Sequence, residues 1–410
     1  MTRRLYYEDA YIREFEAQVV SCRQVEDGYE VILNQTAFYP EGGGQPCDLG
    51  TLESLAITPG RTGAADMQEA ECPAKISDRI TVVDVQEGGS DVRHICDSFL
   101  ESGTRVLGKI DWARRLTHMR EHSGEHIISG IICKTHGYSN IGFHMGKEFV
   151  TIDFSGLLTE EQIAAAEAAA NAKVLENAEI LAEYPDEETL KRLDYRSKKE
   201  LDGAIRIVTV PGADCCACCG THVKRTGEIG PIKVIGSEHY KSGIRLNILI
   251  GEKALADYTQ KSVNMAKIST LLSVKPENTA EAVEKLAEAM NALKLEYGAL
   301  KMQLLEQKVD VVENGQKAAV LFEQGLTAVD VRRLADKLHG KVQFAAVFCG
   351  DDESGYKYVI ISQTMDIADF GKEFNRALNG RGGGRNPMIQ GSVAAKRAEI
   401  EAFLKEKELC

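Results

Sequence analysis

Two pairs of residues in this sequence have the types and the spacing to hold a metal ion. His122 and His126 enclose Ser-Gly-Glu, and Cys218 and His222 enclose Cys-Gly-Thr. Residues four apart on a helix lie one turn apart on the same face, so the first two imidazoles can reach a single ion. The second pair sets a soft thiolate and an imidazole at the same interval, on a segment whose glycine favours a loop. Together they offer three nitrogens and one sulfur, a set suited to tetrahedral zinc.

The same residues admit two other readings. Cys215, Cys216, Cys218 and Cys219 form a knot in which both Cys215–Cys218 and Cys216–Cys219 are C-x-x-C. That spacing could build a cysteine-only site or a redox pair, although no second C-x-x-C completes a four-cysteine centre. His122-Ser-Gly-Glu-His126 also fits H-x-x-E-H, a metallopeptidase pattern in which Glu125 would be the general base. This reading leaves Cys218 and His222 idle.

Two glycine runs add polar chemistry. Thr36-Ala-Phe-Tyr-Pro-Glu-Gly42-Gly43-Gly44-Gln45 follows a strand-like stretch. No side chain shields such a run, so its backbone N–H groups can approach a carboxylate, phosphate or ester oxygen. The alternative is a barrel corner or bulge. Arg381-Gly382-Gly383-Gly384-Arg385, within the loop-like stretch 379–387, sets two guanidinium groups around flexible backbone, which suits phosphate or RNA. The alternative is an ordinary mobile surface loop.

These residues need elements to hold them. Residues 12–110 read as β. EFEAQVVSC and YEVILNQ make a hairpin about Glu-Asp-Gly, with further strands at 79–85 and 104–111, which suggests a small barrel or sandwich. From Trp112 the apolar period becomes helical and carries His122 and His126 on one long helix. A strand at 148–154, a helix opened by a Thr159–Gln162 capping box, and strands at 204–210 and around 229–250 make residues 112–250 α+β. Helix follows from Glu252 to about Lys308, broken near Pro276, with Asn278 and Glu281 as a cap for its second part. Val283, Leu286, Met290, Leu293, Tyr297, Leu300 and Leu304 alternate spacings of three and four, a heptad seam. It fits a two-helix coil, with a second copy or with the first half, or an amphipathic helix packed on its own chain. Residues from about 316 alternate strand and helix as a small α/β domain.

In combination the motifs resemble the editing half of alanyl-tRNA synthetase and its free-standing relatives, the AlaX trans-editing proteins. The matching stretches are TAFYPEGGGQPCDLG, DWARRLTHMREHSGEHIISG, VTIDF, CCGTHVKRTGEIGPIKV and GIRLNILIG, in order, while NGRGGGRNPMIQGS resembles a DHHA1 domain. Cys219 stands where many relatives have glycine. The resemblance implies Zn2+ on His122, His126, Cys218 and His222. It implies an aminoacyl pocket lined by Thr36, Gly42, Gly43, Gly44 and Gln45, and tRNA contact through Arg381, Gly382, Gly383, Gly384 and Arg385. The substrate it implies is tRNA(Ala) carrying serine or glycine, deacylated without aminoacylation, since no charging domain precedes the barrel. The coil and the last domain would pair two copies. A non-catalytic tRNA-binding protein of the same fold is the alternative from another class.

The expected layout is α+β: a barrel-like domain over 1–100, an editing domain over 101–251, a helical coiled-coil segment over 252–312, and a DHHA1-like α/β domain over 313–410. Such an enzyme has a physical reason to exist. A pocket for alanine cannot strongly exclude the smaller glycine, or serine, which adds only a hydroxyl. One methylene is worth about 1–3 kcal/mol, so a second, hydrolytic sieve is needed. Thr36 is the candidate to meet the serine hydroxyl. Arg114, Arg115, Arg120, Lys224, Arg225 and Arg376 are further candidates for RNA contact. The formal net charge of −13 argues against coating nucleic acid indiscriminately and leaves room for a local basic face. The first residues lack an apolar signal segment, no apolar run reaches membrane-spanning length, and the eleven cysteines show no disulfide framework, so a cytoplasmic chain with no membrane partner is expected.

Overall fold

The computed structural model describes residues 1–55, 79–197 and 205–409. Of the eleven cysteines, Cys72 and Cys410 lie outside them. The described chain divides into two compact units, Met1–Met265 and Ala266–Cys410.

The first unit opens with a closed barrel of six strands: β1 Glu14–Val25, β2 Gly28–Leu33, β3 Gly50–Ser54, β4 Arg79–Gly88, β5 Asp91–Cys96 and β6 Arg105–Ile110. Around the barrel they run β1-β2-β5-β4-β3-β6, with β6 pairing back onto β1. The alternation in β1 explains the closure. Phe15, Ala17 and Val19 point inward beside Val31, Leu33, Leu52, Val82 and Val106, while Glu16 and Gln18 between them face water. The β1–β2 turn falls at Glu26-Asp27, where the sequence places it. The sixth strand comes from beyond residue 100, so the barrel reaches as far as Ile110.

Helix α1, Trp112–His136, follows at once. Asp111 caps it by accepting from Arg114 N, and Gly137 closes it in the left-handed region. Its middle is buried nearly all round, from Glu121 to Gly130. Small residues make that possible: a Cβ at Gly130 would stand 2.5 Å from the Ala213 carbonyl. The helix packs with α2, Glu160–Leu175, and with a four-stranded antiparallel sheet. That sheet contains β7 Asn140–Met145, β8 Val150–Phe154, β12 Ile232–Tyr240 and β13 Gly243–Ile250, in the order β12-β13-β8-β7. The Thr159–Gln162 capping box is formed. A smaller antiparallel sheet, β9 Leu181–Glu183, β10 Ile207–Val210 and β11 Asp214–Ala217, carries the cysteine knot. One buried ion pair ties barrel to helix: Arg115 forks onto Asp48 and also donates to the Ala10 and Ala37 carbonyls, with both side chains fully buried.

Helix α3, Glu252–Leu272, begins in the first unit and ends in the second, and α4, Thr279–Asp310, follows a short turn at Pro276–Asn278. Asn278 makes no side-chain cap; Thr279 instead donates to the Pro276 carbonyl. The seven seam residues of α4, Val283 to Leu304, are 48–71% exposed, so the packing of this face on its own chain is not found among the described residues. Along α4 only Thr279 at its start and Leu305 and Val309 near its end are buried.

The rest of the second unit is a five-stranded mixed sheet. Its strands are β14 Ala318–Glu323, β15 Phe344–Asp351, β16 Gly355–Ser362, β17 Gly380–Arg385 and β18 Met388–Val393, in the order β14-β15-β16-β18-β17. Helices α5 Ala328–His339, α6 Ile367–Ala377 and α7 Arg397–Glu406 accompany it. The expected loop at 379–387 is instead mostly the edge strand β17. Its glycines are what allow the pairing, since a Cβ at Gly382 would meet the Gln390 carbonyl at 2.4 Å and the Tyr358 hydroxyl at 2.7 Å.

Candidate metal centre

The two ligand pairs meet. His122, His126, Cys218 and His222 bring one ligand atom each to within 4.8 Å of one another. The thiol of Cys218 lies 3.4 Å from Nε2 of His122 and 3.4 Å from Nε2 of His222. With zinc–sulfur near 2.3 Å and zinc–nitrogen near 2.0–2.1 Å, a tetrahedral edge between S and N is about 3.5 Å, so the spacing fits.

Each imidazole has an outward partner that leaves Nε2 facing the cluster. Nδ1 of His122 donates to Oε1 of Gln45 at 2.9 Å, because an amide oxygen can only accept. Nδ1 of His222 lies 3.1 Å from Oγ of Ser123, which also accepts from Val223 N. Nδ1 of His126 stands 2.9 Å from the Asp214 carboxylate, close enough to pair though not aligned as a hydrogen bond. Asp214 is held in turn by both nitrogens of an Arg196 fork at 2.7 Å. Such outer partners fix tautomer and ring orientation in metal sites.

The electrostatics suit a cation. Burial pushes the Cys218 thiol up, but the three facing imidazoles outweigh it and hold the group well below its ordinary value, as thiolate. Burial disfavours charge on His126, yet Cys218 and then Asp214 outweigh it and raise its pKa. For His222, burial and the neighbouring His122 lower the pKa to about 3, so this imidazole is neutral and free to donate its lone pair. Burial opposes the charge on Asp214, but His126 and Arg196 prevail and keep it ionised.

Glycine is required inside the ligand loop. A Cβ at Gly220 would lie 2.0 Å from the His122 ring. The loop is also pinned from behind, where Arg206 donates to the carbonyls of Cys218 at 3.0 Å and Gly220 at 2.9 Å. The other three cysteines of the knot diverge. Cys216 is buried beside His126 and Asp214, Cys215 takes a contact from Thr209, and Cys219 is exposed. No four-cysteine group occurs among the described residues.

The remaining expected residues fall as follows. Gln45 is fully buried behind His122, its amide spent on His122, Thr221 N and Thr221 Oγ1. Gly42 and Gln45 exchange backbone hydrogen bonds around Gly43 and Gly44, which both adopt positive φ. Gly44 packs so tightly on Phe143 that a Cβ would meet that ring at 2.6 Å, and Phe143 in turn lies against His122. The Thr36 hydroxyl is fully buried, 2.8 Å from Nε2 of His94, and it accepts from Phe38 N. Since Nδ1 of His94 donates to the Val31 carbonyl and burial lowers the ring's pKa to about 4, Nε2 is an acceptor and the Thr36 proton points to it. Glu125 is buried and accepts from Ser129 and Asn140.

Of the basic residues, Arg115 cannot touch RNA, being enclosed with Asp48. Arg120 is spent on Glu228 and Glu252, Lys224 pairs with Asp9, and Arg225 donates to Asn177. Arg376, Arg381 and Arg385 are exposed and make no ion pair among the described residues. Sequence reasoning missed Asp214, Arg196, Ser123 and Arg206. Ser123 and Asp214 stand near a ligand along the chain, whereas Arg196 and Arg206 carry no such signal.

Residues 205–247 match the family described as threonyl and alanyl tRNA synthetase second additional domain, and residues 315–409 match the DHHA1 domain. The alanine–tRNA ligase of Pyrococcus abyssi is 29% identical over 98% of this chain, which spans only 43% of that ligase. Alanyl-tRNA editing protein Aarsd1-B of Xenopus laevis is 28% identical, over 97% of this chain and 96% of that protein. Aarsd1 of Rattus norvegicus is 26% identical over the same shares. A solved C-Ala domain of Aquifex aeolicus alanyl-tRNA synthetase aligns at 23% identity and a TM-score of 0.20, over 23% of this chain and 94% of that one, too low a score to carry an argument.

Proposed function

Because this chain is a homologue of the alanyl-tRNA editing proteins and of the editing region of alanine–tRNA ligases, we propose that it is a deacylase of mischarged tRNA(Ala). It hydrolyses the ester joining serine or glycine to the 3′ end, releasing free amino acid and tRNA. The observation that carries this reading is the convergence of His122, His126, Cys218 and His222 beside the glycine loop.

The donor set and its spacing fit Zn2+, which would supply Lewis-acid polarisation and a point of attachment for the aminoacyl end or the attacking water. The chain's own groups do the rest. Gln45, Ser123 and Asp214 orient the imidazoles. The N–H groups of Gly43 and Gly44, which no described residue accepts, are available to an oxyanion on the ester carbonyl. Thr36 can greet a serine hydroxyl only as an acceptor, because its own proton is engaged by His94. A partner that serine satisfies and alanine leaves unpaired gives the discrimination.

The tRNA body would be held through the second unit. A cavity of about 420 Å³ between α5 and the β17–β18 hairpin is lined by Arg332, His339, Gly383, Gly384 and Arg385, with Asp336 the one acidic group. Two copies would pair along the uncovered seam of α4. A cytoplasmic location accords with the unpaired state of the cysteines among the described residues, and no helix there is long and apolar enough to cross a membrane.

The test is deacylation of Ser-, Gly- and Ala-tRNA(Ala) by the wild type and by His126→Ala. The reading expects hydrolysis of the first or second but not the third, and its loss together with the metal in the variant. Activity that persists without metal would sink the role given to the centre.

A further inference from the structure

Among the described residues, the candidate metal centre is buried except at Cys218 and its neighbour. His122, His126 and His222 are buried, Cys218 alone is partly exposed, and the next residue, Cys219, is open to solvent. Whatever enters must pass that side, and side chains from four separate segments meet there. Tyr7 comes from the single helical turn Leu5–Glu8. Tyr184 follows β9; its ring stands 6.5 Å from that of Tyr7, nearly perpendicular at 84°, and is 51% exposed. Arg206 comes just before β10 and places its guanidinium 5.7 Å from the Tyr7 ring centre while gripping the ligand loop. Its Nε–H is buried and has no acceptor among the described residues. Arg4 and Glu87 pair with each other.

Contact with Tyr7 leaves half of the Tyr184 surface open to solvent. Tyr184 packs edge-on against Tyr7, whose ring lies beside the Arg206 guanidinium that holds the ligand loop. Rings beside guanidinium planes stack nucleobases and tolerate the adjacent phosphates.

We propose that Tyr184 and Tyr7, with Arg206 behind them, form the seat on which the terminal base of an RNA 3′ end stacks, so that its ribose ester reaches the metal centre. This rests on the editing reading in its choice of partner, and its test is separate from that reading. The full-length protein is titrated with a fluorescent acceptor minihelix that is uncharged, either intact or shortened by its last 3′ nucleotide. The proposal expects the wild type to bind the intact RNA about tenfold or more tighter, the usual scale of one stacked base. Tyr184→Ala should bring the intact RNA down to the shortened one, and Tyr184→Phe should keep the preference. Equal binding of both RNAs by the wild type, or an undiminished preference in Tyr184→Ala, overturns the seat. Tyr184 is exposed, so loss of folding does not confound the variant; its metal content should equal that of the wild type. A preserved base preference with no deacylation of either seryl- or glycyl-tRNA(Ala) sinks the editing reading and leaves the seat standing.

Discussion

Three imidazoles crowd one thiolate, and each is turned the right way by a different neighbour. Gln45 comes from the barrel loop, Ser123 from the same helix, and Asp214 from the small sheet. Outer partners of this kind are worth about 10–100-fold in metal affinity. Asp214→Asn and Gln45→Leu should therefore each lower zinc affinity by about that factor in a chelator competition, while Cys215→Ser, whose thiol is outside the cluster, should leave it unchanged. An equal effect of all three would mean that the neighbours contribute nothing specific. The pair spacing in the sequence was enough to pick out the four residues that converge. It could not reveal their partners, because a glutamine 77 positions from a histidine, or a serine 99 away, announces no bond. Buried histidines outside the centre also set a pH dependence. Burial lowers His94 to about 4 and His118 to about 3, the latter with help from Arg114. Unfolded histidine titrates near 6.5. As pH falls from about 6.5 toward 4, the unfolded chain takes up protons that these folded residues refuse, so stability drops. The metal-free protein should melt at progressively lower temperature from pH 7 to pH 4, and His94→Gln should flatten that slope; a slope unchanged in the variant would exclude His94 as a contributor.

Among the elements, the long helix α1 does two jobs that conflict in a simple amphipathic pattern. Its first turns bind the barrel through Arg115, and its middle is buried on every side to present His122 and His126. The sequence period revealed the helix but suggested that Arg115 faces water, since nothing local marks a charge whose partner, Asp48, lies 67 positions away. Breaking such a pair strands a buried charge, at about 3–5 kcal/mol. Arg115→Met should lower the urea midpoint accordingly, whereas the double change with Asp48→Leu should recover much of the loss; a small effect of the single change would show the pair to be dispensable. The strand β17 was hidden for another reason. Three consecutive glycines read as a flexible loop, and only the adjoining strand with its own Gly391 explains why side chains are excluded there. If that strand presents Arg381 and Arg385 to RNA, replacing both by Glu should weaken tRNA binding and reduce its salt dependence by roughly two counterions. Unaltered affinity would remove β17 from the tRNA surface.

At the scale of the whole molecule, the order of the parts was legible because each has its own period: alternation in the barrel, a helical period with paired ligands, a heptad, then alternating strand and helix. What covers the heptad was not legible, and in the single chain nothing among the described residues does. A seam of seven exposed apolar residues over three heptads calls for a partner of like pattern. If two copies meet there, sedimentation equilibrium should give twice the chain mass, and Leu293→Glu with Leu300→Glu should halve it; a monomeric wild type would exclude the pairing. Everything proposed for the reaction still depends on one ion joining the helix of the first unit to the thiol-rich turn. X-ray absorption at the zinc edge of the purified full-length protein measures this directly. The account expects one zinc per chain, with a single sulfur at about 2.3 Å and three nitrogens at about 2.0 Å, both lost in His222→Ala. Two or more sulfurs in the shell, or a zinc signal that survives His222→Ala unchanged, would contradict it.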